Sequence, residues 1–192
     1  MKQITSIFTV FLLVLAAQLA LAETERFEAG IGTGKSNVIS SSDFKNAAVS
    51  GDAHSYWLGY GLDDNWGLEV GLDHFDFDQV STDHEAMSAS AVYRFMPNST
   101  IHPIAKLGAG TVLTKSANGV KINSFGAKVA AGAEVDFKYV SFGVGVNYHY
   151  IARIGDTDAL KGAQVYVPML SITIHNDITA QSFTGAGESD SE

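Results

Sequence analysis

The chain has 192 residues, of which 46% are hydrophobic, and its formal net charge is −9 at neutral pH. This length fits one domain. The acidic charge argues against a nucleic-acid partner, because no basic stripe is present to neutralise phosphates. The sequence contains no cysteine, which excludes a disulfide framework and a thiolate metal site.

Residues 1–22 are predicted to form a secretory signal peptide. Lys2 precedes an apolar run over residues 7–15 and a small-residue end, Ala-Leu-Ala, at residues 20–22, a pattern that predicts cleavage after Ala22. The alternative is a membrane-anchoring helix. The run is short for a span, however, and acidic residues follow it in place of a positive flank. Loss of Lys2 with the signal leaves 11 basic and 21 acidic residues, a net charge of about −10.

Eight segments beyond the signal alternate between apolar residues and polar or glycine residues. In residues 125–137, FGAKVAAGAEVDF, one face is wholly apolar and the other carries glycine, lysine, glutamate and aspartate. Strict alternation of this kind predicts a β-strand with two different faces. In chain order the predicted strands are residues 26–35, 53–62, 66–75, 84–95, 101–113, 125–137, 140–153 and 163–175.

The predicted connections alternate in length. Those after the second, fourth and sixth strands are short, at residues 63–65, 96–100 and 138–139. Those after the first, third, fifth and seventh strands are longer and polar, at residues 36–52, 76–83, 114–123 and 154–162. Short periplasmic turns and long extracellular loops are typical of membrane β-barrels.

These patterns predict an all-β protein, an eight-stranded antiparallel up-and-down transmembrane β-barrel over residues 23–175. A tilted strand of roughly 9–11 residues crosses the hydrocarbon. Every backbone polar group needs a partner there, so the sheet must close. The apolar faces then point to lipid and the polar faces line the lumen. Side chains just fill the interior of a barrel of about eight strands, so we expect a plugged cylinder and not an open pore.

The inward faces carry charges of both signs, which can satisfy one another as buried ions require. Strand direction, read from the loop lengths, places Glu28, Glu69, Arg94, Lys106 and Glu134 in the periplasmic half. We expect the whole network to be structural and not catalytic. It comprises Glu28, Glu69, Asp73, Arg94, Lys106, Lys128, Glu134, Asp136 and, when protonated, His149.

Two further inward residues and the aromatic residues complete this prediction. We expect His149 to be a hydrogen-bonded interior histidine close to Lys128 or Asp73. Trp57 is expected to fill the lumen near its outer mouth. Aromatic residues near the predicted strand ends suit the interfacial girdles of outer-membrane barrels. They are Phe27, Trp66, Phe75, Phe95, Phe125, Phe137, Tyr148 and Tyr150.

The signal peptide, the eight segments and the inward charges resemble the small outer-membrane barrels of Gram-negative bacteria. The similar group is the OmpA-like transmembrane domain family, with its OmpX-like and opacity-type barrels. The resemblance covers residues 27–175 and rests on pattern, not on a diagnostic motif. It implies outer-membrane location, contact with lipid and lipopolysaccharide, insertion by the barrel-assembly machinery, and no cofactor. It also implies envelope integrity, or surface interaction with an extracellular partner through the loops.

The end of the chain departs from this family. Its barrels usually finish at an aromatic residue that closes the last strand, whereas the last predicted strand here ends at His175. Residues 176–192 are polar and acidic, and they are predicted to be disordered. This tail is too short to be a peptidoglycan-binding domain.

Two other classes of protein fit the sequence less well. A soluble, periplasmic, lipocalin-like ligand-binding barrel would need polar residues outside, yet the faces opposite the apolar ones are mostly glycine, alanine and serine. A lipid A-modifying outer-membrane enzyme of the deacylase kind would carry a His-x-Ser pair. None of the six histidines has serine two residues later. We therefore predict no catalytic residue.

One acidic stretch is similar to a calcium loop. Residues 73–78, DHFDFD, place carboxylates near one another, and residues 83–85 add Asp-His-Glu. The central glycine of such a loop is absent, because Gln79 follows Asp78. We therefore predict an acidic extracellular loop that weakly attracts divalent cations, and no metal site.

Overall fold

The computed structural model describes residues 26–40, 50–77, 82–116, 121–137, 139–152 and 163–176. The predicted signal peptide and residues 177–192 of the predicted tail lie outside these ranges. No helix in the described part of the chain is long and apolar enough to cross a membrane. The strands are β1 (Phe27–Ser40), β2 (Ser50–Gly61), β3 (Trp66–Phe77), β4 (Thr82–Arg94), β5 (Ile101–Ser116), β6 (Lys121–Phe137), β7 (Val140–Ile151) and β8 (Ala163–His175).

The eight strands close into one antiparallel barrel. Each strand pairs with its neighbour in sequence, and β8 pairs with β1. The seam is extended by the chain ends, because Phe27 N donates to Asn176 Oδ1 at 2.6 Å and Asn176 N donates to Phe27 O at 3.2 Å. The predicted fold class is confirmed, and the last strand ends at His175 as expected.

The alternation sorts the side chains as the sequence predicts. On β6, Val129 and Phe137 are about half exposed on the outer face, whereas Lys128 and Glu134 are buried in the lumen. Apolar residues outside and charges inside are the reverse of a soluble ligand-binding barrel. The structure therefore does not support the lipocalin-like alternative.

The outer apolar band has the height of a membrane. On β6 the outward residues are apolar from Phe125 to Phe137, which is about 40 Å along a strand that rises about 3.3 Å per residue. At the usual barrel tilt of about 35–45° this becomes roughly 28–33 Å across the bilayer. The hydrocarbon core is about 30 Å thick, so β6 has the length to span it.

Three of the four long connections were predicted too long. The first is residues 41–49 and not 36–52, because β1 ends at Ser40 and β2 begins at Ser50. β3 and β4 stay paired up to Phe77 and Thr82, and β5 and β6 stay paired up to Lys115 and Lys121. Only residues 78–81 and 117–120 separate these strands. The sequence does not reveal these strand ends, because the alternation of apolar and polar residues is a consequence of contact with lipid. Beyond the hydrocarbon the outward residues become polar although the backbone ladder continues.

The lumen is divided into two halves, which corrects the prediction that its whole lining is polar. At the long-loop end the interior residues pack into an apolar cluster. Phe75 belongs to this cluster and is fully buried, so its predicted place in an interfacial girdle is wrong. We call this group the outer core; its buried members are Ala53, Phe75, Phe77, Ala86, Val112, Ile151, Ala163, Val165 and Val167.

Glycines make room for large side chains in the other half. A Cβ on Gly30 would lie 2.2 Å from the Trp57 ring. One on Gly59 would lie 2.5 Å from Glu28 Oε1. The glycine-rich inward face therefore reflects the narrowness of an eight-stranded barrel, whose interior just holds its own side chains.

The closed ladder predicts heat-modifiable migration in SDS gels. Cold detergent should leave the barrel paired, so unboiled protein from the outer-membrane fraction should run at a different apparent size from boiled protein. A single unshifted band from a soluble periplasmic fraction would contradict the barrel.

Candidate functional site in the lumen and at the extracellular end

The centre of the lumen is organised by Asp73 of β3. Lys128 Nζ donates to both of its carboxylate oxygens, at 2.9 Å and 3.3 Å, and Ser55 Oγ donates to Oδ1. All three residues are buried. His149 Nε2 lies 3.8 Å from Asp73 Oδ2 and has no hydrogen-bond partner among the described residues. The predicted proximity of His149 to Asp73 is therefore observed, while the predicted hydrogen bond is not made by Nε2.

A second group lies below the first, towards the short turns. Lys106 of β5 pairs with Glu69 of β3, and its ammonium lies 4.8 Å from the centre of the Trp57 ring. A cation over an indole face is attracted by the ring electrons. Trp57 pairs with Gly71 and Gly30 in the ladder, so it lies in the lower half of the barrel. The predicted position near the outer mouth is wrong.

The third group closes the periplasmic end. Arg94 at the end of β4 pairs with Glu28 of β1. Arg26 lies 3.5 Å from Glu28 Oε2 and 3.8 Å from Asp136 Oδ2. Glu134 and Asp136 of β6 lie close to the buried ring of His102. The result is a chain of alternating charges across several strands.

The structure thus brings all nine predicted interior residues into the lumen, in three connected groups. Sequence reasoning missed five of their partners. Arg26 is the first residue of the first predicted strand, Ser55 and Ser141 carry no charge, and His102 and His175 lie near strand ends. Inward parity could have identified Ser55, His102, Ser141 and His175, but only the strand register shows what they touch.

The extracellular end has a different outer surface. Above the lipid-facing residues, the outward positions form a polar rim with two cross-strand ion pairs and one contact between a histidine and a carboxylate on the same strand. We define this rim by the members Thr33, Lys35, Asp52, His54, His74, Asp76, Glu85 and Lys115. Inside it lies the outer core. The barrel end therefore has the apolar-inside, polar-outside arrangement of a water-soluble protein.

The acidic stretch after Leu72 does not form a calcium loop in its described part. Asp73 points into the lumen towards Lys128, whereas Asp76 points outward, with one carboxylate oxygen 3.0 Å from His74 Nε2. The two carboxylates therefore lie on opposite faces of β3. Asp78 lies outside the described residues.

Removing one partner of the central pair should destabilise the barrel more than removing both. Asp73→Asn leaves Lys128 buried without its main partner, which costs about 3–5 kcal/mol for a buried pair. The double variant with Lys128→Met should recover at least half of that loss. The measurement is urea unfolding in detergent micelles followed by tryptophan fluorescence. Asp52→Asn, at the exposed pair with Lys35, is the control and should unfold like the wild type. A double variant less stable than Asp73→Asn would contradict the pairing.

Comparison with known proteins supports this architecture. The model of the family described as "Outer membrane protein beta-barrel domain" matches residues 7–184. A search of curated proteins gave no match. Among solved structures, Neisserial surface protein A is 18% identical, with a TM-score of 0.66, covering 77% of this chain and 96% of its own.

Two other structures are similar in fold. The N-terminal barrel domain of Pseudomonas aeruginosa OprF is 15% identical, with a TM-score of 0.53 over 79% of this chain and 99% of its own. The outer membrane enzyme PagL is 15% identical, with a TM-score of 0.50 over 77% and 98%. At such identities these likenesses show the fold alone. The family match spans most of the sequence, and the chain belongs to the outer-membrane protein β-barrel domain family as an integral protein of the outer membrane.

Proposed function

We propose that this protein is a non-catalytic, surface-exposed barrel with a plugged lumen, and that its extracellular end makes contacts outside the cell. The observation that carries the proposal is the continuation of the strands past the lipid band. An enclosed apolar core and a polar outer surface there form a rigid platform. A barrel that served only as a membrane anchor would have no need of a packed core beyond the hydrocarbon.

The rim has the chemistry of a contact surface. Its charges are of both signs, and most of them are paired across neighbouring strands. Such pairs contribute little to stability at an exposed site, but they fix the positions of charges that a partner could recognise. We expect the surrounding partners to be outer-membrane lipid and lipopolysaccharide, and we expect a further extracellular partner at the rim and the loops. The barrel-assembly machinery would insert the chain.

The proposal assigns no catalysis to the lumen. PagL shows that an enzyme can have a similar fold, so the fold alone does not establish whether this protein is an enzyme. What supports the proposal is the absence of any His-x-Ser pair in the sequence. Three interior carboxylates, Glu28, Glu69 and Asp73, also form pairs with arginine or lysine side chains.

Site-directed cysteine labelling would test the platform. The method suits this protein because its sequence contains no native cysteine. Single replacements Thr33→Cys and Lys115→Cys should react with a membrane-impermeant maleimide on intact cells. Asp64→Cys, in a short turn, should react only after the outer membrane is permeabilised. Val70→Cys, facing lipid, is the control and should stay unlabelled in both conditions. Labelling of Asp64→Cys on intact cells would contradict the orientation.

The role of the rim can be separated from a role in envelope integrity. Cells lacking the protein would be complemented with the wild type or with a rim variant, Lys35→Ala combined with Lys115→Ala. We expect the rim variant to restore detergent resistance but to reduce adhesion to matrix-coated surfaces, because only the contact surface is changed. Normal adhesion together with lost detergent resistance would contradict the proposed surface role.

The plugged lumen predicts an absence of steady ion conductance in planar bilayers. The outer core closes one half and the charge pairs fill the other, so wild-type protein should give no channel events. Arg94→Ala should also give none, because the outer core remains. Channel events that appear or change with Arg94→Ala would show that the network gates a pore, and would contradict a plugged barrel.

A further inference from the structure

Three possible metal ligands meet at the short-turn end of the lumen. His102 of β5 lies directly opposite Glu134 of β6 in the strand register. Asp136 follows two residues later and shares the inward face. His102 Nε2 lies 3.4 Å from Glu134 Oε2 and 3.7 Å from Asp136 Oδ2. One ligand atom from each of the three residues lies within 4.8 Å of the others.

The surroundings of His102 distinguish this group from the other ion pairs. Its side chain is fully buried, and neither ring nitrogen has a hydrogen-bond partner of good geometry among the described residues. The two distances exceed the roughly 2.7–2.9 Å of a charge-assisted hydrogen bond. They are close to the spacing of neighbouring ligands around a tetrahedral ion, because metal–ligand bonds of about 2.0–2.2 Å place the ligand atoms roughly 3.3–3.6 Å apart. The first distance lies within this range and the second is slightly longer.

The carboxylate of Asp136 is held in a suitable orientation. Ser141 Oγ donates to its Oδ1, and His175 Nε2 lies 3.8 Å from the same oxygen. The other oxygen of Asp136, Oδ2, therefore faces His102. Ligating carboxylates in metal sites are commonly fixed by such outer contacts. One cation competes for the site, since Arg26 Nη2 lies 3.8 Å from Asp136 Oδ2.

The charge balance of the lumen also favours a cation here. Three carboxylates have close cationic partners: Glu28 with Arg94, Glu69 with Lys106, and Asp73 with Lys128. Glu134 and Asp136 remain, and among the described ion pairs only Arg26 and the two histidines approach them within 4 Å. At this end of the lumen three carboxylates, of Glu28, Glu134 and Asp136, lie near two guanidinium groups, of Arg26 and Arg94.

We propose that His102, Glu134 and Asp136 bind one divalent transition-metal ion of the zinc class at the periplasmic mouth of the barrel. An imidazole with two carboxylates suits zinc better than calcium or magnesium, which prefer oxygen ligands alone. The side chain of Asp136 is 20% exposed, so the ion can enter from the periplasm, and a water can complete its coordination. The ion would join β5 to β6. This site is absent from the sequence-based prediction, which expected no metal.

The test uses the full mature chain without a polyhistidine tag, folded in detergent and treated with a chelator. Titration with Zn²⁺ by calorimetry should give one ion per chain, and Co²⁺ should give the strong visible absorption of a tetrahedral site. His102→Gln should weaken Zn²⁺ binding by at least about 100-fold, whereas the control His84→Gln should change it by less than about twofold. His84 is a suitable control because it is also buried, bonded to Thr114 at 2.9 Å, at the opposite end of the lumen.

Heat-modifiable migration would show that each variant is folded. If His102→Gln fails to fold, Asp136→Asn replaces it, with the same loss of Zn²⁺ binding expected. The Co²⁺ spectrum of the wild type needs no variant. The proposal is overturned by absence of saturable Zn²⁺ binding, by a weak octahedral Co²⁺ spectrum, or by equal loss of binding in His84→Gln and His102→Gln.

Discussion

The whole structure depends on the demand that every backbone polar group in hydrocarbon find a partner inside the protein. A sheet can meet this demand only by closing, and closure leaves no edge strand. Once the barrel is closed, the two faces of each strand have different solvents. Contact with lipid determines the outward side chains, and the narrow lumen determines the inward ones, which explains why the inward faces are rich in glycine as well as in charged residues.

The lumen has two kinds of packing in one continuous cylinder. At the periplasmic end, carboxylates and cations from several strands satisfy one another, which is the condition for burying charge at all. At the extracellular end, Phe75, Phe77 and the valines of β8 pack as the core of a soluble protein would. This division fits a barrel that is filled along its length, with a charged network at one end and an apolar core at the other.

The sequence was sufficient for some of these features and insufficient for others. The eight strands and the inward parity of Lys128 and Glu134 follow from alternation, because lipid contact imposes it residue by residue. The strand ends beyond the membrane could not be predicted, since polar outward residues there look like loop. The outer core was missed because both faces of the first half of β8 are largely apolar. The alternation there does not show which residues point into the lumen. Partner choice, such as His102 opposite Glu134, depends on register, which the strands' own sequences do not specify.

The uneven placement of charge has a consequence for biogenesis. A barrel of this family enters the membrane from the periplasm, so its extracellular end must cross the whole bilayer and its periplasmic end need not. The described interior of the crossing half holds the outer core together with a few buried polar residues such as His84 and Thr114, and transfer of apolar groups into hydrocarbon is favourable. The lysines, arginines and most carboxylates of the lumen travel a shorter distance from the aqueous compartment in which folding starts. Most interior charges therefore lie in the half that does not cross the bilayer, whereas the charges of the rim must cross it.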